Sequence, residues 1–250
     1  MFIDTHMHIS NDFGVKPDRY IENAKNNNVN IMIASFCEKY DLNKSIEYVD
    51  KYDCLYSAVG YHPEIANDID EEDYKKLEDV VVNNDKIVAI GEIGLDYYWD
   101  KSNKDKQIEV FKRQLELAER LGYPVVIHTR DAIEETYQVL KDYKVKGVLH
   151  CFSGSLEMAE KFIKLGFLIG IGGVVTFKNS KLYQVVEKIP LENIILETDS
   201  PYLAPEPVRG SVNESCNIPI IAKKVSEIKN ISLEEVEEKT TKNAISLFDL

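Results

Sequence analysis

A short apolar run rich in Ile and Val recurs eight times along the chain, each time followed by a polar junction and then a longer amphipathic stretch. Short runs bounded by turn residues read as strands, and apolar positions recurring every three to four residues read as helices. The pattern predicts strands over Phe2–His6, Asn30–Ser35, Leu55–Gly60, Ile87–Gly91, Pro124–His128, Gly147–His150, Phe167–Ile171 and Asn193–Glu197. Between them it predicts helices over 17–27, 41–52, 71–83, 105–121, 131–143, 155–165 and 179–188. The clearest helix is Asp105–Leu121, where Val110, Leu115, Leu117 and Leu121 sit among charged residues; Gly122 then provides a stop before Pro124. A loop over Ser200–Asn213, with Pro201, Pro205 and Pro207, follows the eighth strand and leads to two more helices, near 217–229 and 233–248.

Eight strands alternating with helices in 250 residues match the closed parallel (β/α)8 TIM barrel in size and order. An open doubly wound sheet would be favoured by a Gly-rich phosphate loop after the first strand, but that position reads N-D-F-G (11–14) rather than G-x-G-x-x-G. No interdomain linker interrupts the pattern, so residues 1–250 are expected to form one barrel domain.

Composition narrows the class further. With 44% hydrophobic and 29% charged residues, the chain is an ordinary globular protein rather than a disordered or fibrous one. The longest near-apolar stretch, Leu165 to Val175, falls well short of a bilayer span of about 20 residues. The N-terminus lacks the basic and apolar regions of a secretory signal, and the four cysteines, Cys37, Cys54, Cys151 and Cys216, have no framework or C-x-x-C spacing. These features predict a cytoplasmic protein with reduced thiols, no membrane partner and no protein partner, a monomer. The net charge of −13 opposes polyanion binding through a broad surface, so any such affinity must come from local cations or metal ions.

The five histidines, His6, His8, His62, His128 and His150, all fall at or just past the carboxyl end of a predicted strand. That rim is where barrel enzymes build their active sites. His6 and His8 form an H-x-H pair, and residues two apart on a strand project to one face, so both imidazoles can address one ion while Met7 faces the helices. On the same rim, Glu92 follows the fourth strand and Asp199 the eighth. Four imidazoles (His6, His8, His128, His150) and two carboxylates (Glu92, Asp199) supply the mixed donor set for a pair of divalent ions, with Glu92 able to bridge them. Each residue alone has a bland reading: His128 bonded to a backbone carbonyl, Glu92 paired with Arg130, Asp199 capping the turn into Pro201. Six such coincidences on one rim would leave buried charges poorly paired.

The motifs T-H-M-H (5–8), G-Y-H-P (60–63), G-E-I-G-L-D-Y (91–97), H-T-R (128–130), H-C-F-S-G (150–154), E-T-D-S-P-Y-L-A-P (197–205) and R-G-S-V-N-E (209–214) span the chain in that order. In this series the sequence resembles the TatD-type metal-dependent deoxyribonucleases of the amidohydrolase superfamily. The resemblance implies that His6, His8 and Asp199 hold one divalent ion, that His128 and His150 hold a second, and that Glu92 bridges them, with His62 and Arg209 on the substrate side. The sequence departs from the family's N-E-P ending at Ser215, which bears on how firmly Arg209 is held. Glu92, in place of the carboxylated lysine of many C–N bond amidohydrolases, tilts the resemblance toward phosphoester chemistry.

The expected activity is a deoxyribonuclease that cuts single-stranded DNA from its ends with two divalent ions (Mg, Mn or Zn). Asp199 and Glu92 would be catalytic, His62 would serve as acid or phosphate donor, and Arg209 and Arg130 would neutralise phosphate. The loop Tyr97–Lys106 mixes three aromatics with Lys101, Lys104 and Lys106; it either packs as a lid or offers rings on which unpaired bases stack. Two rival readings stay open: a superfamily hydrolase of esters, lactones or C–N bonds using the same ions, and a non-catalytic metal-binding barrel.

Overall fold

The computed structural model describes residues 1–11 and 14–250, so part of the N-D-F-G segment lies outside the described residues. Eight parallel strands pair in sequence order: β1 (Phe2–Met7), β2 (Val29–Phe36), β3 (Leu55–Val59), β4 (Ile87–Asp96), β5 (Val125–Arg130), β6 (Gly147–Leu149), β7 (Phe167–Ile171) and β8 (Ile194–Leu196). Helices α1 (Pro17–Asn26), α2 (Leu42–Lys51), α3 (Glu71–Val82), α4 (Lys104–Leu121), α5 (Ile133–Leu140), α6 (Leu156–Lys164) and α7 (Leu182–Lys188) follow the first seven strands. α8 (Ile218–Lys229) and α9 (Leu233–Phe248) follow the eighth. The architecture is the expected (β/α)8 barrel.

Local chemistry explains the helix ends. Asp70 caps α3 with a reciprocal Asp73 bond, and Ser155 and Ser232 cap α6 and α9 by accepting from backbone N–H groups of the first turn. Gly122 ends α4 in the left-handed conformation at φ 76°, as its position in the sequence predicts.

Two apolar layers form around the strands. Ile3, Ile33, Ala58, Ala89, Val126, Val148 and Ile195 belong to one buried cluster with Ala244, Leu247 and Phe248 of α9. Seven of the eight strands thus fill the barrel's amino-terminal half, and the end of α9 plugs it. The larger cluster, with Met7, Val59, Ile90, Ile93, Phe111 and Phe162 among its members, lies between strands and helices. Met7 is fully buried there, on the helix side as the alternation requires.

The seam between β1 and β8 is built differently from the other strand pairs. Among the described residues the regular ladder is replaced by a single parallel bridge, Met7 to Ser200, together with Thr5 Oγ1 donating to Leu196 O at 2.9 Å, Asp199 N to His6 O at 3.0 Å and His8 N to Ser200 O at 2.7 Å. The buried Asp4 carboxylate accepts at this seam from Thr198 N (3.0 Å), Thr198 Oγ1 (2.6 Å) and Ser215 Oγ (2.6 Å). Ser215, at the position where the motif series departs from N-E-P, anchors the loop after β8 to β1.

Two register irregularities matter for function. Asp4 and Met7 of β1 pair with Met32 and Ala34, so one extra residue lies between them. Gly91 and Ile93 of β4 pair with the consecutive Val126 and Ile127, making Glu92 the extra residue of a bulge. The sequence pattern ends β4 at Gly91, but pairing with β5 resumes after the bulge, Gly94 opposite His128 and Asp96 opposite Arg130. Gly94 permits this: it sits at φ 148°, and a Cβ there would stand 1.9 Å from the His128 carbonyl oxygen.

Replacing Gly94 by Ala is therefore expected to cost about 3 kcal/mol of stability, from backbone strain and the displaced β5. Urea denaturation measures it, and an unchanged midpoint would contradict the close approach.

Candidate metal centre

The inward positions at the carboxyl end of the barrel carry imidazoles and carboxylates instead of apolar groups. On β5 and β6 simple alternation leads from the core to the site, from Val126 to His128 and from Val148 to His150. On β1 and β4 the step is three residues, Ile3 to His6 and Ala89 to Glu92, and the extra residue in each strand restores the inward direction.

Glu92 is the hub. Its side chain is 5% exposed, and its two oxygens face different histidine groups. Oε2 lies 3.4 Å from His6 Nε2 and 3.9 Å from His8 Nε2. Oε1 lies 2.7 Å from His128 Nδ1, 3.0 Å from His150 Nε2 and 3.6 Å from His62 Nε2. Asp199 completes the first group, its Oδ1 being 3.7 Å from His6 Nε2 and 3.6 Å from His8 Nε2. His6 and His150 stack with ring centroids 3.9 Å apart, linking the two groups. All six residues expected as ligands are thus brought together.

Electrostatics follow from this crowding. Burial would raise the Glu92 pKa, but the His150 charge and the His128, His150 and His6 imidazoles around it hold it well below the usual carboxylate range. Burial would lower His150, yet Glu92 and Glu197 hold it well above the ordinary imidazole value. His6 is lowered, first by burial and then by the His150 charge, since adjacent stacked imidazoles resist sharing positive charge.

The donor set fits divalent ions. Three groups each offer ligand atoms within 4.8 Å of one another: His6, His8 and Glu92; His6, His150 and Asp199; His62, Glu92 and His128. His6 Nε2 is buried with no hydrogen-bond partner, an arrangement that is costly for a polar atom unless it serves as a ligand. Imidazole nitrogen mixed with carboxylate oxygen suits zinc, manganese or magnesium.

Two carboxylates absent from the sequence-based site stand behind the histidines, one of them hydrogen-bonded. Asp96 Oδ2 lies 3.0 Å from His128 Nε2, and Glu197 Oε1 lies 3.6 Å from His150 Nδ1; Glu197 also accepts from the Cys151 backbone N–H. Such carboxylates fix ring orientation and raise the basicity of the opposite nitrogen. Asp96 stands in the G-E-I-G-L-D-Y motif and Glu197 in E-T-D-S-P, two residues before Asp199, so each carries a motif signal of its own.

The substrate-side residues divide. His62 opens the 3-10 turn Pro63–Asp68, its Nδ1 accepting from Glu64 N at 3.3 Å; in the neutral ring the proton then sits on Nε2, the atom facing Glu92. Arg130 lines the cavity over the site and lies not against Glu92 but over Tyr98, its guanidinium carbon 3.8 Å from the ring centroid. Arg209 is placed elsewhere: its guanidinium lies over Phe177 at 4.1 Å and near Glu206 at 3.8 Å, outside the cavity lining. Asp199 has φ 56°, a left-handed conformation that aspartate tolerates better than most residues, and its carbonyl accepts from Tyr202 N at 2.9 Å.

The cavity over these groups measures about 680 Å³; Glu38 and Glu64, after β2 and β3, line one sector of it, and Trp99 and Arg130, after β4 and at the end of β5, line another. No helix of the described residues is long and apolar enough to cross a membrane.

Comparison with known proteins agrees with this geometry. The family model described as TatD related DNase matches residues 3–249. The chain is 40% identical over 253 residues to the uncharacterized metal-dependent hydrolase YabD of Bacillus subtilis, covering 99% of both chains. Among solved structures it is similar to YjjV, a TatD homologue from Escherichia coli K12, with a TM-score of 0.92 at 30% identity over 100% of this chain and 98% of the other. It is also similar to a TatD family hydrolase from Entamoeba histolytica, with a TM-score of 0.89 at 28% identity over 99% and 97% of the two chains. The eight-stranded barrel, the histidine and carboxylate cluster at its carboxyl end and these relationships together identify the chain as a member of the TatD related DNase family, whose curated relatives are named metal-dependent hydrolases.

Proposed function

We propose that this protein is a metal-dependent phosphodiesterase that removes nucleotides from the ends of single-stranded DNA, using two divalent ions that Glu92 and the surrounding histidines would hold. The observation that carries the reading is the division of the Glu92 carboxylate, Oε2 toward His6 and His8 and Oε1 toward His128 and His150. His6, His8 and Asp199 would hold one ion and His128 and His150 the other. Such a pair, when bound, lowers the pKa of water and neutralises phosphoryl oxygens during in-line displacement.

The chain's own groups do the rest. Asp199 turns Oδ1 toward His6 and His8, leaving its second oxygen to orient the attacking water and take its proton. His62, with the proton on Nε2, donates to a phosphate oxygen or to the departing oxygen. Arg130 neutralises phosphate at the mouth. Asp96 holds His128 against rotation, and Glu197 places a negative charge behind His150.

The preference for an end follows from space and charge. The groups that would do the chemistry lie at the bottom of a cavity between strand ends, and the surface as a whole carries −13, so a strand terminus enters with less repulsion than a continuous backbone.

Metal-stripped protein is expected to be inactive on end-labelled single-stranded DNA and to regain activity with manganese, magnesium or zinc. The Glu92→Ala variant is expected to stay inactive under every metal. Amide or lactone turnover in place of DNA cleavage would transfer the site to another hydrolase class, and equal rates on closed circles and linear strands would remove the end preference.

Asp96→Asn is expected to weaken metal binding about 10- to 100-fold through loss of the His128 orientation. Competition against a chromophoric chelator measures this without reference to turnover, and unchanged affinity would deny Asp96 its positioning role.

A further inference from the structure

The loop that follows β4 bears on substrate choice at this site. Of its three aromatics, Tyr97 is buried, with the Lys104 ammonium 4.1 Å above its ring, and packs the loop. The next two face outward: Tyr98 is 52% exposed and Trp99 64% exposed. Trp99 is the only tryptophan in the chain, and a large indole left this open at a cavity mouth is more informative than an ordinary surface apolar residue.

The aromatic pair is tied to the reaction centre. Asp96 Oδ1 accepts from Tyr98 N at 2.8 Å and Trp99 N at 3.2 Å while its Oδ2 faces His128. One carboxylate therefore fixes both the loop and the histidine. Arg130 joins the group from β5, 3.8 Å from the Tyr98 centroid and 5.3 Å from the Trp99 centroid. Among the described residues no carboxylate is within ion-pair distance of this guanidinium. Among the described residues it is also the one Lys or Arg that lines the cavity, whereas Glu38 and Glu64 line it from the ends of β2 and β3.

We propose that Trp99, braced edge-on by Tyr98 and flanked by Arg130, is the platform on which a nucleobase beside the scissile phosphate stacks, with Arg130 receiving an adjacent phosphate. Every base presents a π-face, so such a platform grips single strands without reading sequence, and a guanidinium beside the rings adds charge complementarity. A strand with negative charge at every step is accommodated past Arg130 and opposed past Glu38 and Glu64, so the platform also sets the side from which the strand leaves. This inference rests on the phosphodiesterase reading and names the group by which that site would hold its substrate.

Because Trp99 is the sole tryptophan, its fluorescence reports on the platform independently of turnover. The full-length, metal-loaded protein would be titrated with a phosphorothioate hexamer of deoxyadenosine and with an abasic hexamer of equal length and charge. Anisotropy of an end dye would monitor binding in parallel. Saturable quenching by the adenine strand is expected, with binding about tenfold weaker for the abasic strand and about tenfold weaker for the adenine strand in Arg130→Ala. Trp99→Leu is expected to raise KM about tenfold for adenine-ended strands and to leave abasic-ended strands unaffected. Equal affinity for the two hexamers, or binding without a Trp99 signal, overturns the platform. Quenching with base discrimination but no cleavage of any phosphodiester supports the platform and overturns the phosphodiesterase reading instead.

Discussion

The site depends on how the first strand closes against the last. Where other strand pairs share a ladder, β1 and β8 meet through the buried Asp4 carboxylate, which accepts four hydrogen bonds: from His6 N, Thr198 N, Thr198 Oγ1 and Ser215 Oγ. A buried carboxylate costs several kcal/mol unless its acceptor sites are filled, and burial raises the Asp4 pKa to about 7 even against these bonds. The network is held at that cost because it fixes three segments at once: the strand carrying His6 and His8, the turn carrying Asp199 and the return of the chain toward α8. Asp199 N donating to His6 O and His8 N donating to Ser200 O then set the three groups side by side. In this sequence Ser215 supplies a hydroxyl to that network, so the departure from the family's N-E-P ending is bound into the fold.

Above the seam, charge is arranged in alternation. Glu92 lies among five imidazoles, Asp96 and Glu197 lie behind two of them, and Asp199 closes the group. Three of the histidines are hydrogen-bonded from behind, His128 to Asp96, His6 to Ser35 at 3.2 Å and His62 to Glu64 N, and Glu197 lies 3.6 Å behind His150. Rings held from behind present their remaining nitrogens with little rotational freedom, which is what a preorganised ion site requires. Beneath the cluster lies the apolar layer that the end of α9 completes.

The acidic surface and the proposed anionic substrate are compatible because attraction is local. Long-range repulsion from a net charge of −13 is screened within about 8 Å at physiological salt, whereas the proposed ions and Arg130 beside the exposed rings would act at contact. Affinity for polynucleotide would then reside in the mouth alone.

Much of this was legible in the sequence. Eight apolar runs at regular spacing define the barrel order, because burial on both faces of a parallel strand leaves a compositional mark. The five histidines and two acids mark the rim because chemistry of this kind needs residue types that strands otherwise avoid. The bulges at β1 and Glu92 were not legible: a hydrophobic pattern of period two has no symbol for one extra residue, and Gly94 reveals its purpose only when the His128 carbonyl lies against it. The supporting roles of Asp96, Glu197 and Asp4 and the displacement of Arg209 toward Phe177 were equally hidden. Each depends on contacts between segments distant in sequence, or on the direction a side chain takes after a bulge. The sequence by itself determined the fold class and the inventory of donor groups, since both follow from residue type and spacing along one dimension. Tertiary structure alone decided which oxygen faces which imidazole, because that requires strands from around the whole barrel to meet at one point.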